Sequence, residues 1–224
     1  MTFLKRPGIE LFTGALVIPR MVGMLRAEGL SCRRGDRELF AGVDLRVEPG
    51  QWTHVRGANG AVKTSLLRIL AGLAQPDSGE VRWNDSPIAQ DRAAWNTDLL
   101  YLGHHAAIKD ELTPIENLRA ASELEGHTLT DEQALRALRR FGLKGREDLP
   151  VRFLSAGQRR RVLLARTMTR PAVAWILDEP LTALDSSAIE DFSSLVADHL
   201  SRGGLAVVTS HQALPLAGGQ ELVL

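Results

Sequence analysis

The residues best suited to bond making and breaking fall in three short stretches. Gly57-Ala58-Asn59-Gly60-Ala61-Val62-Lys63-Thr64 lies between an apolar run ending at Arg56 and a segment with apolar residues at 66, 67, 69, 70 and 73. Its spacing is that of a phosphate-cradling loop, G-x-x-x-x-G-K-[ST], with Val62 standing where the second glycine belongs. Such a loop works because consecutive backbone amides point inward at a helix N-terminus, where the helix dipole favours an anion. Lys63 would neutralise the β- and γ-phosphates, and the Thr64 hydroxyl would ligate Mg2+. Taken alone, an ordinary strand-to-helix turn competes with this assignment.

The second stretch, Val173-Ala174-Trp175-Ile176-Leu177-Asp178-Glu179, is an apolar run closed by two carboxylates. At the C-terminal edge of a sheet, where α/β proteins bind ligands, Asp178 can hold Mg2+ through water. Glu179 can orient or deprotonate an attacking water. A solvated Asp-Glu turn before Pro180 is the bland alternative. The third stretch, Leu154-Ser155-Ala156-Gly157-Gln158, opens a helix and runs into Arg159-Arg160-Arg161. Ser155 offers a hydroxyl and a helix N-cap, and Gly157 lets backbone approach a phosphate closely.

The elements that must position these residues alternate between strand and helix patterns. Leu25–Cys32 and Arg37–Val47 read as strands about a Gly35-Asp36 turn, and Gln51–Arg56 as a short strand. Lys63–Leu73 has helical spacing, Pro76–Gly79 forms a turn and Leu99–Leu102 is a buried strand. Residues 113–170 carry three helix-like segments, two of them opened by capping boxes at Thr113-Pro114-Ile115-Glu116 and Thr130-Asp131-Glu132-Gln133. A strand at 172–177, a helix at 186–201 and strands at 205–209 and 220–224 follow. The expected fold is α/β: a mainly parallel core sheet with an antiparallel edge at 24–48 and a helical subdomain at about 105–170 within a domain spanning 24–224. Residues 1–23 stand apart. Their faint apolar run is broken by Pro19 and lacks a small-residue cleavage site, so they are expected to be an upstream extension, with Met21 and Met24 both suitable starts.

In chain order, the phosphate loop, the L-S-x-G-Q segment, the Asp-Glu strand end, Leu184-Asp185 and the late His211 resemble the ATP-binding cassette ATPases over essentially all of 24–224. The resemblance implies a P-loop ATPase that pairs head to tail with a second copy of itself. The backbone of Gly57, Ala58, Asn59, Gly60, Ala61 and Val62, with Lys63, Thr64 and Ser65, would hold ATP. Ser155, Ala156, Gly157 and Gln158 would face the partner's ATP, and Asp185 would lie in the loop crossing the interface. His211 would contact the γ-phosphate beside Glu179, so that Lys63, Glu179 and His211 form the catalytic set. His104 stands where the family carries a glutamine that reaches Mg2+, joining Thr64 and Asp178 as metal ligands. His104, Ala156 and Thr209-Ser210-His211-Gln212 are similar to the group that serves bacterial haem export in cytochrome c maturation. Departures from that pattern are the missing adenine-stacking aromatic near 32–35, where Arg33 or Arg34 can stack instead, Ala106-Ala107 in place of Pro-Gly, and Val62. A β-branched residue at 62 reads as a damaged or engineered site, a tolerated variant or a sequence error, with some loss of ATP affinity expected.

Composition narrows the function further. Lys plus Arg and Asp plus Glu each number 27 and aromatics are 5%, which argues against a nucleic-acid binder. A single cysteine, Cys32, excludes an internal disulfide and a cysteine-based zinc site. No apolar run reaches the length of a membrane span. The expectation is therefore an ATP-hydrolysing subunit, peripheral on the cytoplasmic face of the bacterial inner membrane. It would couple ATP and Mg2+ to a transmembrane permease in haem export, docking near His104 and Glu116. The alternatives are a non-hydrolysing scaffold disabled by Val62, and a soluble cassette ATPase outside transport.

Overall fold

Two long antiparallel strands, β1 (Leu25–Arg34) and β2 (Arg37–Val47), open the described part of the chain. Their turn uses Gly35, whose φ of +60° an L side chain rarely adopts. The computed structural model describes residues 23–57, 60–103 and 107–224. The extension read into the first residues, the Ala58-Asn59 part of the phosphate loop and His104 lie outside the described residues, apart from Gly23. After β2 come β3 (Trp52–Arg56), α1 (Gly60–Leu70), β4 (Ser78–Trp83), β5 (Ser86–Pro87), α2 (Arg92–Asp98) and β6 (Leu99–Leu102). Helices α3 (Pro114–Leu124), α4 (Asp131–Arg140) and α5 (Ala156–Thr169) follow without an intervening strand. The chain then alternates through β7 (Ala174–Asp178), α6 (Ser186–Ser201), β8 (Leu205–Thr209) and β9 (Gln220–Val223).

The strands form two sheets. β2-β1-β4-β5 is antiparallel, and β6-β7-β8-β3-β9 is parallel throughout. The antiparallel part is thus a sheet of its own. It recruits β4 and β5, which the sequence reading treated as turn and unassigned chain. α1 begins at Gly60, three residues before the expected Lys63, because the loop glycine enters the helix. α2 was not foreseen: it is seven residues long, capped by Asp91 accepting from the Ala94 amide at 2.9 Å, and buries only Trp95.

Side-chain parity along the parallel strands divides the core. Leu99, Ala174, Ile176, Leu205 and Val207 face a cluster with α1 and the antiparallel sheet. Leu100, Leu102, Trp175, Leu177, Ala206 and Val208 face a second cluster with α3 to α6. The helices between 105 and 170 therefore cover one face, and α1 covers the other. Because neighbouring strands run parallel, the ends of β3, β7 and β8 emerge on one edge.

The opposite end of α6 carries a buried imidazole. His199 lies flat on Trp175, ring centroids 3.9 Å apart, with Nε2 3.1 Å from the Val173 carbonyl and 3.3 Å from that of Leu205. A Cβ on Gly204 would come within 2.3 Å of that ring, so only glycine fits there. Burial disfavours the cation and pushes the pKa down from 6.5 to about 4, against the opposing pull of the two carbonyls. The unfolded chain takes up a proton below 6.5 that the folded chain refuses until about 4. This group's contribution to stability is therefore complete above that window and lost as pH falls through it, on the order of 3 kcal/mol. Urea denaturation of the native chain and His199→Phe at intervals across the window should show a steeper acid loss for the native protein. Parallel curves would remove His199 from the account.

Candidate active site

Asp178 ends β7 with the parity of Ala174 and Ile176, so its side chain points to the α1 face. There Thr64 Oγ1 donates to Asp178 Oδ2 at 2.7 Å. On the neighbouring strand Thr209 is the register partner of Asp178. Its hydroxyl donates to Asp178 Oδ1 at 2.8 Å and accepts from the Glu179 amide at 2.8 Å. Both carboxylate oxygens of a residue only 1% exposed are therefore satisfied by threonines from two other elements.

Glu179 turns the chain away from the sheet. Its φ is +51°, a left-handed conformation that costs a non-glycine residue about 1 kcal/mol or more. The turn keeps the carboxylate inside. Oε2 accepts from the His211 amide at 3.2 Å, while Oε1 is buried without a hydrogen-bond partner. Lys63 Nζ lies 3.7 Å from Oε1 and His211 Nε2 lies 3.5 Å from it. Lys63 is almost fully buried and donates to the Gly57 carbonyl at 2.9 Å, closing the loop on itself. The His211 side chain is 69% exposed and guards the open side.

Val62 sits in the first turn of α1 outside the positive-φ region, and its side chain is buried in the same apolar cluster as Val55, Leu66 and Val207. The loss of ATP affinity expected from this residue is put to the test by Val62→Gly below. A helical position needs no glycine freedom, and the methyls have the core to fill. The Val62 amide belongs to the first helical turn of α1, where N–H groups lack an intrahelical carbonyl. Gly60 and Ala61 are exposed at this helix start, Gly57 and Thr64 half-buried, and the Ser65 hydroxyl donates to the Ala61 carbonyl at 2.7 Å.

Among the described residues no three His, Cys, Asp or Glu side chains gather to hold a metal ion. Magnesium bound with a nucleotide needs only one or two protein oxygens, the rest coming from phosphate and water. The Thr64–Asp178 pair is a hard-oxygen set of that kind, and the adjacent residue's Glu179 Oε1 is a buried oxygen without a hydrogen bond, so the residues present fit the ion.

The L-S-x-G-Q segment forms a separate cluster. Ser155 and Ala156 are exposed; the Ser155 hydroxyl accepts from the Gln158 amide at 3.2 Å, and Gln158 Oε1 accepts from the Ser155 amide at 3.0 Å, a complete capping box. A Cβ on Gly157 would lie 2.6 Å from the Ala183 carbonyl, so the close approach at this glycine is to its own chain. Arg161 Nη2 donates to Asp185 Oδ2 at 2.6 Å, and Asp185 Oδ1 caps α6 through the Ala188 amide at 2.9 Å. Glu116 is spent in the α3 capping box, its carboxylate accepting from the Thr113 amide at 2.8 Å; that bond holds its pKa below the usual range.

Two residues that bond the site's backbone and one that shapes the approach to α3 escaped the sequence reading. Thr209 was quoted only for resemblance; its parity with Leu205 and Val207 and its place at a strand end were the available signals. Arg160 sits within a run of three arginines, nothing in which marks the buried one. Asn117 fixes the segment before α3, accepting from the Lys109 amide at 2.8 Å and donating to the carbonyls of Lys109 and Thr113, each at 3.0 Å.

Comparison with known proteins follows the same lines. The family model described as ABC transporter matches residues 40–182. The chain is 48% identical over 196 residues to the cytochrome c biogenesis ATP-binding export protein CcmA of Dechloromonas aromatica, covering 88% of this chain and 96% of that one. It is 50% identical over 194 residues to the protein of the same name from Methylococcus capsulatus, covering 87% and 94%. Among solved structures, an ABC transporter ATP-binding protein of Pyrococcus furiosus, described as putative, superposes with a TM-score of 0.77 at 22% identity, over 90% of this chain and 97% of that one. A dimeric ATP-binding cassette in a post-hydrolysis state with ADP and Pi gives 0.74 at 21%, over 84% and 88%.

Two measurements check this geometry. Thr209→Val leaves the Glu179 amide buried without its acceptor and should lower stability by about 1–3 kcal/mol in denaturant titration. Val62→Gly should lower stability by about 2 kcal/mol through lost burial and helix propensity, while the KM for ATP stays within about threefold. A KM falling about tenfold would return the side chain to the phosphates' path.

Proposed function

Because the chain belongs to the ABC transporter family of ATP-binding cassettes, we propose that it hydrolyses ATP as the energy-supplying subunit of an exporter in cytochrome c biogenesis. The relatives that share about half its residues carry that role in their names. The observation that carries the reading is Glu179 Oε1, buried without a hydrogen bond and ion-paired at 3.7 Å with Lys63 Nζ, with His211 Nε2 at 3.5 Å.

Each side chain then has a task. The first-turn amides of α1 and the Lys63 ammonium meet the β- and γ-phosphates, which replace Glu179 and Gly57 as the counter-charge of a buried lysine. Thr64 and Asp178 hold Mg2+, which when bound draws charge from the phosphate oxygens. Glu179 Oε1 takes a proton from a water attacking the γ-phosphorus as the bond to the β-phosphate oxygen breaks and ADP leaves. His211 orients that water from the exposed side. Ser155, Ala156, Gly157 and Gln158 lie in a cluster of their own, exposed at Ser155 and Ala156, and serve the nucleotide held by a second copy, with Asp185 beside the junction. Among the described residues no helix is long and apolar enough to cross a membrane. A permease partner supplies that part, and this subunit sits against it at the cytoplasmic face of the inner membrane.

Glu179→Gln should reduce ATP hydrolysis by the assembled transporter by a factor of about 100 or more while ATP binding persists. Retained hydrolysis would move the base elsewhere and end this reading.

A further inference from the structure

We propose that Arg160 is a positioning residue for hydrolysis, its guanidinium holding the Asp178-Glu179-Pro180 backbone in the turn that keeps the Glu179 carboxylate on the attacking water. The inference rests on the assignment of Glu179 as base and goes beyond it.

Arg160 projects from the second turn of α5 and is only 7% exposed. Its donors do not pair with a carboxylate; they collect main-chain carbonyls. Nε donates to Pro180 at 3.1 Å, Nη2 to Asp178 at 2.9 Å and also to Glu179, and Nη1 reaches the Gly103 carbonyl at 3.5 Å. Three consecutive carbonyls are thus gathered on one rigid fork, centred on the residue with φ of +51°. A left-handed glutamate persists only when its surroundings over-determine it, and here the Thr209 hydroxyl holds the amide side while Arg160 holds the carbonyl side. Burial lowers the Arg160 pKa, with Asp178 and Glu179 opposing that shift. A guanidinium keeps its charge in any protein, so the clamp stays cationic beside both carboxylates.

The clamp also joins two sites. Arg160 shares α5 with the exposed Ser155 cap, and its neighbour Arg161 bonds Asp185. Lysine can satisfy one of the three carbonyls; methionine, with similar bulk, satisfies none.

The test compares native, Arg160→Lys, Arg160→Met and Glu179→Gln chains in the assembled transporter. It reads kcat and KM for ATP, melting temperature and amide hydrogen exchange at Glu179 and Leu181. Arg160→Met should lose kcat by about tenfold to a hundredfold, the scale of a misplaced catalytic group, with KM within about threefold. Arg160→Lys should fall between it and the native chain, and exchange at the two amides should quicken in the same order. A native kcat in Arg160→Met overturns the proposal. So does a rise in KM matching the loss of kcat, or loss of the fold in both Arg160 variants, since each makes the arginine merely structural. Hydrolysis surviving Glu179→Gln instead refutes the assignment of the base, independently of Arg160.

Discussion

A carboxylate oxygen without a hydrogen bond, enclosed beside a buried ammonium, is costly to maintain. Glu179 Oε1 is in that condition, 3.7 Å from Lys63 Nζ and 3.5 Å from His211 Nε2. Everything around it serves to hold it there. The left-handed turn keeps the carboxylate from swinging into solvent, the His211 amide anchors its other oxygen, and Thr209 ties its backbone to Asp178. A residue chosen for stability alone would have its oxygens satisfied, as those of Asp178 are. Of the two adjacent carboxylates, Asp178 has both oxygens hydrogen-bonded and Glu179 keeps one without a hydrogen bond.

Parallel strand geometry makes this arrangement possible. Side-chain parity sends Asp178 and Thr209 to the face covered by α1, where Thr64 waits, and the same parity fills the remaining positions with Ala174, Ile176, Leu205 and Val207. Shifting β7 by one residue would send Asp178 to the helical face and dismantle the site. The register is fixed by apolar side chains on both faces, so the chemistry inherits its precision from the core.

The motifs were legible because phosphate chemistry demands particular residue types at fixed spacing: Lys63 and Thr64 after a glycine loop, Asp178 and Glu179 at the end of an apolar strand. The two capping boxes and α3 to α6 were equally plain, since Thr113 and Thr130 open capping boxes and Ser155 reads as an N-cap; the box that Gln158 completes at Ser155 came from the structure. What escaped was tertiary. β4 pairs with β1 across more than 40 residues and β5 adds to β4, and α2 rests on one cap and one buried tryptophan, too little pattern to see locally. The readings of Val62 stayed open in the sequence because its burial depends on the packing of Val55, Leu66 and Val207. At Gly157 the sequence did not show that a Cβ would meet the Ala183 carbonyl of the same chain. Which of three adjacent arginines turns inward is likewise decided by the Asp178-Glu179-Pro180 turn and not by composition.

The two clusters lie apart in sequence, but the exposed Ser155 cap and the Arg160 that bonds the Asp178 and Pro180 carbonyls share one helix, α5. The most direct measurement is a crystal structure of the native chain with Mg2+ and a non-hydrolysable ATP analogue. The account predicts an ordered water within about 2.6–3.2 Å of Glu179 Oε1, facing the γ-phosphate, with Ser155 of a second copy closing the other side of the nucleotide. A Glu179 side chain turned out to solvent, with the water held by some other group, would contradict it.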